Sequence, residues 1–256
     1  MGKKVVMKFG GAAVASPEAF GEIAAIIERG LKKYSSVVAV VSAMGDMTNQ
    51  LVRLATSVHP QPPNREMDML VSVGERISIS LLAMALAKRG QEAVSFTGSQ
   101  SGILTTSDHT EARILGVRPH RLIPHLDAGR VVIVAGFQGV SEGREITTLG
   151  RGGSDTTAVA LGVALNASEV QFYKEVDGVY EMDPNHFPRA RRIDTLTYSE
   201  ALAICDRAAH PVLHPRAVAL AEANNLPLLV RSFRSEEGGT WIRGATTAAP
   251  APVFET

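Results

Sequence analysis

A single cysteine, Cys205, stands among 256 residues, so no disulfide can form within the chain. That suits a reducing compartment. An excess of either charge is missing too: Lys plus Arg number 26, and so do Asp plus Glu. A neutral balance gives no electrostatic reason to expect DNA, RNA or an anionic membrane surface as the main partner, and any anion site must be local. No run of about 18 apolar residues occurs, so no membrane span is expected. The amino-terminal MGKKVVMKFGG is basic and then apolar, but Lys8 and the glycines keep the apolar run shorter than a signal peptide needs. Val6 stands where a myristoylation signal requires Ser or Thr. The expectation is a soluble, cytoplasmic protein. Metal-ligand spacing is also missing from the 7 histidines. His210 and His214 lie four apart, but no Glu-x-x-His pattern or cysteine pair accompanies them, so no protein metal site is expected.

What the chain does have is alternation. Short apolar runs at Val5–Phe9, Ser36–Val41, Ala93–Phe96, Val131–Phe137, Val170–Tyr173 and Leu226–Ser232 read as strands. Between them, Pro17–Lys32, Asp46–Ser57, Ser154–Leu165, Leu196–Asp206 and Pro215–Asn225 read as helices, and Glu66–Lys88 as one long, central, buried helix. Gly102–Leu115 is a weaker stretch with room for a hairpin, and Gly139–Ile146 reads as a polar turn between strands. This βαβα order predicts an α/β protein, a three-layer αβα sandwich with a mostly parallel central sheet. Residues 1–246 are expected to form one domain, with small-substrate features to about residue 165 and nucleotide features in 166–246. The Ala/Pro-rich 247–256 reads as a loose tail.

Two Gly-rich loops carry the chemistry. Lys8-Phe9-Gly10-Gly11 directly follows the first strand, and Gly150-Arg151-Gly152-Gly153-Ser154-Asp155 directly precedes a helix. Glycine lets backbone N–H groups approach a phosphate, and a helix N-terminus adds free N–H groups and a favourable dipole. Neither loop matches the P-loop or the spaced dinucleotide motif, and each alone reads equally as a tight structural turn.

The words around these loops resemble one family. KFGG, VVSAMGDMTNQL, REMDMLVSVGERISISLLAMAL, SFTGSQSGILTTSDHTEARI, VIVAGFQGV, TTLGRGGSDTTAVAL, VDGVYEMDP and LHPRAV together look like the catalytic domain of aspartokinase, in aspartokinase order, over roughly residues 4–243. The resemblance implies the amino-acid kinase fold. It also implies ATP-dependent phosphorylation of the side-chain carboxylate of L-aspartate, the first step toward lysine, threonine and methionine. Magnesium would accompany ATP, and a homodimer is implied because family kinase domains pair through helices.

The resemblance also implies roles. Glu75 and Arg151 fall in the amino-acid site, with Thr48, Gly152 and Ser154. A carboxylate can accept the substrate ammonium, and a guanidinium fork suits its carboxylate. On sequence alone Glu75 reads more readily as a solvated helix residue. Lys8 is the catalytic lysine by resemblance, able to neutralise charge on the γ-phosphoryl oxygens. Asp155 is read as an organiser of Lys8 and the metal–nucleotide rather than as a base, since an aspartate carboxylate is already ionised at neutral pH. Gly10, Gly11, Lys174, Glu175, Asp177, Tyr180 and Asp183 fall in the nucleotide site.

Departures from the family pattern cluster in that nucleotide half. Ala12-Ala13 replaces Thr-Ser, Lys174-Glu175 replaces a hydroxyl–Asp pair, Asn185 replaces Arg, and Ala209-His210-Pro211 stands for Gly-Ala-Lys. Lys174, or Arg189, Arg191 and Arg192, are candidate substitute cations. Three readings stay open: an aspartate kinase, an acyl-phosphate-forming kinase of another acid, or a catalytically weak amino-acid-binding subunit. No ACT regulatory domain is recognisable after the kinase part.

Overall fold

Valine-rich strands buried on both faces build the centre of the molecule. The structure, a computed structural model, describes residues 2–182, 184, 186–187, 189–208, 211–235, 238–244 and 251–255. From the amino terminus, β1 (Lys4–Phe9) leads through α1 (Ala19–Leu31) to β2 (Ser36–Val41). Helices α2 (Met47–Val58), α3 (Asn64–Val71) and α4 (Val73–Lys88) follow, then β3 (Ala93–Phe96). The paired strands β4 (Ile103–Thr105) and β5 (Ile114–Val117) precede the short α5 (Ile123–Asp127) and β6 (Val131–Ala135). Strands β7 (Gln138–Ser141) and β8 (Ile146–Thr148) lead into α6 (Gly153–Ala164) and then β9 (Glu169–Lys174). The chain continues through β10 (Val179–Tyr180), β11 (Arg192–Ile193) and β12 (Thr195–Leu196). It then passes through α7 (Tyr198–Arg207), α8 (Pro215–Ala223), β13 (Leu228–Ser232) and β14 (Thr240–Ile242).

The main sheet runs β12-β14-β13-β9-β1-β2-β6-β3 and is parallel except where β13 meets β14. Alternation along β1 sorts the two faces. Val5, Met7 and Phe9 join one apolar cluster with Phe20, Ile23 and Ile27 of α1 and Leu82 and Leu86 of α4. Val6 joins the other, with Val159 and Leu161 of α6 and Val218 of α8. The helices therefore cover both faces, which is the expected three-layer αβα sandwich. The period of two also places Lys8 on the α6 side, at the carboxyl end of β1. A second sheet, β5-β4-β7-β8, is mixed, with β4 and β7 parallel.

Three expectations need correction. The long helix is two helices, interrupted at Ser72. The Ser72 carbonyl accepts from Gln138 Nε2 at 2.9 Å and its hydroxyl donates to Met69 O at 3.2 Å, so a tertiary contact takes a group the helix ladder would otherwise use. Nor is that stretch central. Ile79, Leu82 and Leu86 face the sheet, while Val73, Ile77 and Met84 are exposed. Residues 64–88 are long and apolar enough to cross a membrane by length and composition, yet they carry the buried Asp68 and Glu75, and one side of α4 packs on the sheet.

The third correction is the tail. Residues 245–250 lie outside the described residues, but 251–255 are docked. Val253 exchanges two hydrogen bonds with the Asn224 side chain, Phe254 packs on the core, and Glu255 N donates to Ile114 O at 2.9 Å.

Candidate active site

The carboxyl ends of β1, β2, β6 and β9 deliver side chains to one edge of the sheet, where ligands of open α/β sheets bind. A cavity of about 420 Å³ opens there, lined by Lys8, Thr48, Glu75, Arg151, Gly152, Ser154 and Asp155. These are all of the residues read from the sequence as catalytic or acid-binding. Ser42 and Phe137 line it as well and were not foreseen. They follow β2 and β6 directly, in stretches that otherwise read as plain strand ends.

Asp155 is the electrostatic centre. It sits in the first turn of α6, 6% exposed, with Lys8 Nζ 2.7 Å from its Oδ1 and Lys174 Nζ 3.1 Å from its Oδ2. Burial alone would push its carboxyl up, but the two ammonium groups outweigh that and hold it far below the usual carboxylate range. Asp155 stays ionised and cannot serve as a proton acceptor near neutral pH. Lys174, at the end of β9, is pulled below the usual lysine range by burial and then by Lys8, while Asp155 opposes the shift. Its ammonium thus lies at the Lys8 end of the site. β9 pairs directly with β1, with Lys8 opposite Phe172, so the two lysines arrive from neighbouring strands.

Glu75 lies in the first turn of α4 and is 2% exposed. Its Oε1 accepts from the Ala43 amide at 3.1 Å, and its Oε2 has no hydrogen-bond partner. Burial lifts the carboxyl to about 7. It is not the solvated helix residue the sequence alone favours. A buried, unpartnered carboxylate oxygen facing a cavity calls for a donor from a ligand. Arg151 is exposed at the cavity's edge and forms no ion pair among the described residues.

The second Gly-rich loop is shaped by its neighbours. Gly150 and Gly152 adopt φ of 69° and 73°. A Cβ on Gly152 would overlap the ring of His214, the residue capping α8. Phe137 is also left-handed, at φ 70°, unusual for a bulky residue; its amide donates to Thr157 Oγ1 and its carbonyl accepts from Leu149 N. The helix dipole of α6 then opens directly into the cavity.

The residues read as nucleotide-binding do not line this cavity. Gly10 and Gly11 form the turn after β1, where Gly10 O accepts from Ala13 N and a Cβ on Gly11 would press on the Gly45 and Ala43 carbonyls. Asp177 binds Tyr180 Oη at 2.6 Å and Arg192 Nη1 at 2.8 Å. Glu175 is exposed and pairs with Arg234. Arg192 is therefore committed to Asp177, and to Asp194 at 3.5 Å, rather than available as a replacement cation. Ala13 is buried beside Val14 in the apolar cluster under α1. Asp183, Asn185, Ala209 and His210 lie outside the described residues. Cys205 is buried, its thiol against Leu213 O, as a core residue.

Residues 3–232 match the model of the amino acid kinase family. The aspartokinase of Corynebacterium glutamicum is 50% identical over 247 residues, which are 96% of this chain and 58% of that protein. The chain thus spans little more than half the length of the curated relatives it matches. Among solved structures, aspartate kinase from Synechocystis superposes with a TM-score of 0.87 at 41% identity, over 99% of this chain and 42% of that one. E. coli aspartokinase III in complex with aspartate and ADP superposes with a TM-score of 0.85 at 28% identity, over 95% of this chain and 65% of that one.

Proposed function

Since this chain belongs to the amino acid kinase family, we propose that it transfers the γ-phosphoryl group of ATP to the side-chain carboxylate of L-aspartate, giving 4-phospho-L-aspartate and ADP. The observation that carries this reading is the unpartnered Oε2 of buried Glu75, set in the same cavity as the Lys8–Asp155 pair. An ammonium acceptor and a phosphoryl cation in one cavity suit an amino acid whose own side chain attacks. The relatives at about half identity bear the name aspartokinase, and one structural neighbour was solved with aspartate and ADP.

In this reading Glu75 accepts the substrate ammonium, Arg151 forks its α-carboxylate, and Thr48, Gly152 and Ser154 line the rest of the acid's pocket. A side-chain carboxylate oxygen attacks the γ-phosphorus in line. The new O–P bond forms as the bond to the β,γ-bridging oxygen breaks, and ADP leaves. No general base is needed, because the nucleophile is already an anion. Lys8 and Lys174 neutralise charge on the phosphoryl oxygens, and Asp155 keeps both ammoniums aimed. Gly10, Gly11, Glu175, Asp177, Tyr180 and Asp183 are assigned to the nucleotide. Asp155 is already engaged by two lysines, and no group of three metal-ligating side chains exists among the described residues. Magnesium is therefore assigned to the nucleotide's own phosphates and water. The division at about residue 165, a cytoplasmic location, a homodimer and a place at the head of lysine, threonine and methionine synthesis belong to the same proposal.

An ATP-dependent hydroxamate assay over a panel of amino and carboxylic acids tests it. Product with aspartate alone is expected. Product with a different acid, or binding of aspartate with no turnover, would each refute the reading.

A further inference from the structure

The docked tail ends on an arginine that holds the substrate loop. Glu255 forms a fork with Arg216 of α8: Nε to Oε1 at 2.8 Å and Nη2 to Oε2 at 3.0 Å. Its Oε2 also accepts from Ile114 N at 2.8 Å. With that side fixed, Arg216 turns its remaining donors inward. Nη1 reaches Leu149 O at 2.6 Å and Nη2 reaches Ala112 O at 3.1 Å. Leu149 and Ala112 are fully buried, so these carbonyls have no water to turn to, and Ala112 N already binds Thr148 O.

Leu149 is the last residue before Gly150-Arg151-Gly152. The same first turn of α8 presents the His214 ring against Gly152. The loop that carries Arg151 is thus seated on the start of α8 at two points, and one of them depends on Glu255 for its orientation. Arg216 has no other carboxylate partner among the described residues. Without Glu255 its guanidinium keeps its charge but loses the partner that fixes its plane.

We infer that Glu255 is a positioning residue for the amino-acid site, acting through Arg216 on the Leu149 carbonyl and so on the placement of Arg151. This rests on the reading of Arg151 as the holder of the acid's carboxylate. Misplacing that loop weakens the grip on the amino acid while leaving Lys8, Asp155 and Lys174, which stand on strand ends and the α6 turn, where they are.

The test uses the whole chain carrying Glu255→Ala, with aspartate and ATP varied separately and amide exchange followed across residues 149–153. KM for aspartate is expected to rise roughly tenfold, with kcat and KM for ATP within about twofold of the parent. Exchange in the 149–153 amides should quicken, and Glu255→Gln, which keeps an acceptor for Ile114 N, should recover part of the loss. Asn224→Ala loosens the tail at Val253 without touching Arg216 and should have little effect on KM for aspartate. The inference is overturned if KM for aspartate and loop exchange stay unchanged. It is equally overturned if kcat, both KM values and the melting temperature worsen together, or if Asn224→Ala reproduces the Glu255→Ala profile. A parent that never turns over aspartate refutes the proposed function instead, while the exchange measurement still judges the link from Glu255 to the loop.

Discussion

Burial lifts the Glu75 carboxyl from its ordinary 4.5 to about 7, against the pull of backbone amides. The folded protein therefore holds this proton more tightly than the unfolded chain does. The resulting stabilisation is fully present below about 4.5 and is lost as pH rises through 7, up to about 3 kcal/mol by proton linkage. Ligand binding has the opposite sense, because an ammonium needs the ionised form. KM for aspartate should fall about tenfold per pH unit as pH rises toward 7 and level off above it. Glu75→Gln should abolish that slope, weaken aspartate binding by orders of magnitude, and raise the melting temperature of the free protein at pH 8. A KM flat between pH 5.5 and 8 in the parent would contradict this assignment.

The lysine pair makes a second prediction at the same scale. Asp155 is bound from both sides, so removing one ammonium leaves the other in place. Lys174→Met should cost one charge-assisted contact to the phosphoryl group, about 1.5–3 kcal/mol, or roughly a ten- to hundredfold loss in kcat/KM for ATP. Lys8→Ala should abolish turnover while calorimetry still detects aspartate. ATP kinetics untouched by Lys174→Met would remove Lys174 from the site. Asp155→Asn is expected to be worse than either, since it strands buried Lys8 and half-buried Lys174 without their counter-charge.

At the scale of elements, the glycine turn ahead of α6 is seated on the start of α8. Gly152→Ala meets two obstacles: a left-handed φ of 73° and the ring of His214 where the methyl would go. Together these should cost about 2–4 kcal/mol, read as a lowered denaturation midpoint, and should reduce activity beyond the stability loss. Gly21, a half-buried helix position with open space for a methyl, should accept alanine with a small gain and serves as the control.

This loop also explains what was legible in the sequence. Glycines next to a charged residue mark a local need for unusual backbone, and that need is written where it acts. The pattern thus marked where Lys8, Arg151 and Asp155 stand, while the roles of Lys8 and Arg151 came from the family resemblance. Phe137 could not, because its left-handed backbone is imposed by Thr157 and Leu149 from outside its own stretch. The position of Lys174 beside Lys8 depends on β9 lying next to β1, a matter of sheet order rather than of local pattern. The break at Ser72 depends on Gln138, and the docked tail depends on Arg216 and Asn224. Two-residue strands such as β10, β11 and β12 are too short for any periodicity.

For the whole molecule, the unresolved demand is the outer face of α4. Val73, Ile77 and Met84 are 38%, 37% and 65% exposed and fall on one side of the helix, since spacings of four and eleven residues return to nearly the same angle. The other side of α4 is satisfied by the sheet, so among the described residues the stripe stays uncovered. A second copy is the proposed occupant, and a two-fold axis would bring the stripe against itself. Symmetry then doubles any substitution: Met84→Glu puts two carboxylates into one apolar contact. The dimer dissociation constant should rise by on the order of a hundredfold, seen by sedimentation, with the circular dichroism spectrum unchanged. Because α4 also presents Glu75 from its first turn, loss of the dimer should raise KM for aspartate before it touches KM for ATP. A parent that sediments as a monomer at assay concentrations, or a Met84→Glu variant that keeps its dimer, would show that this stripe pairs with nothing.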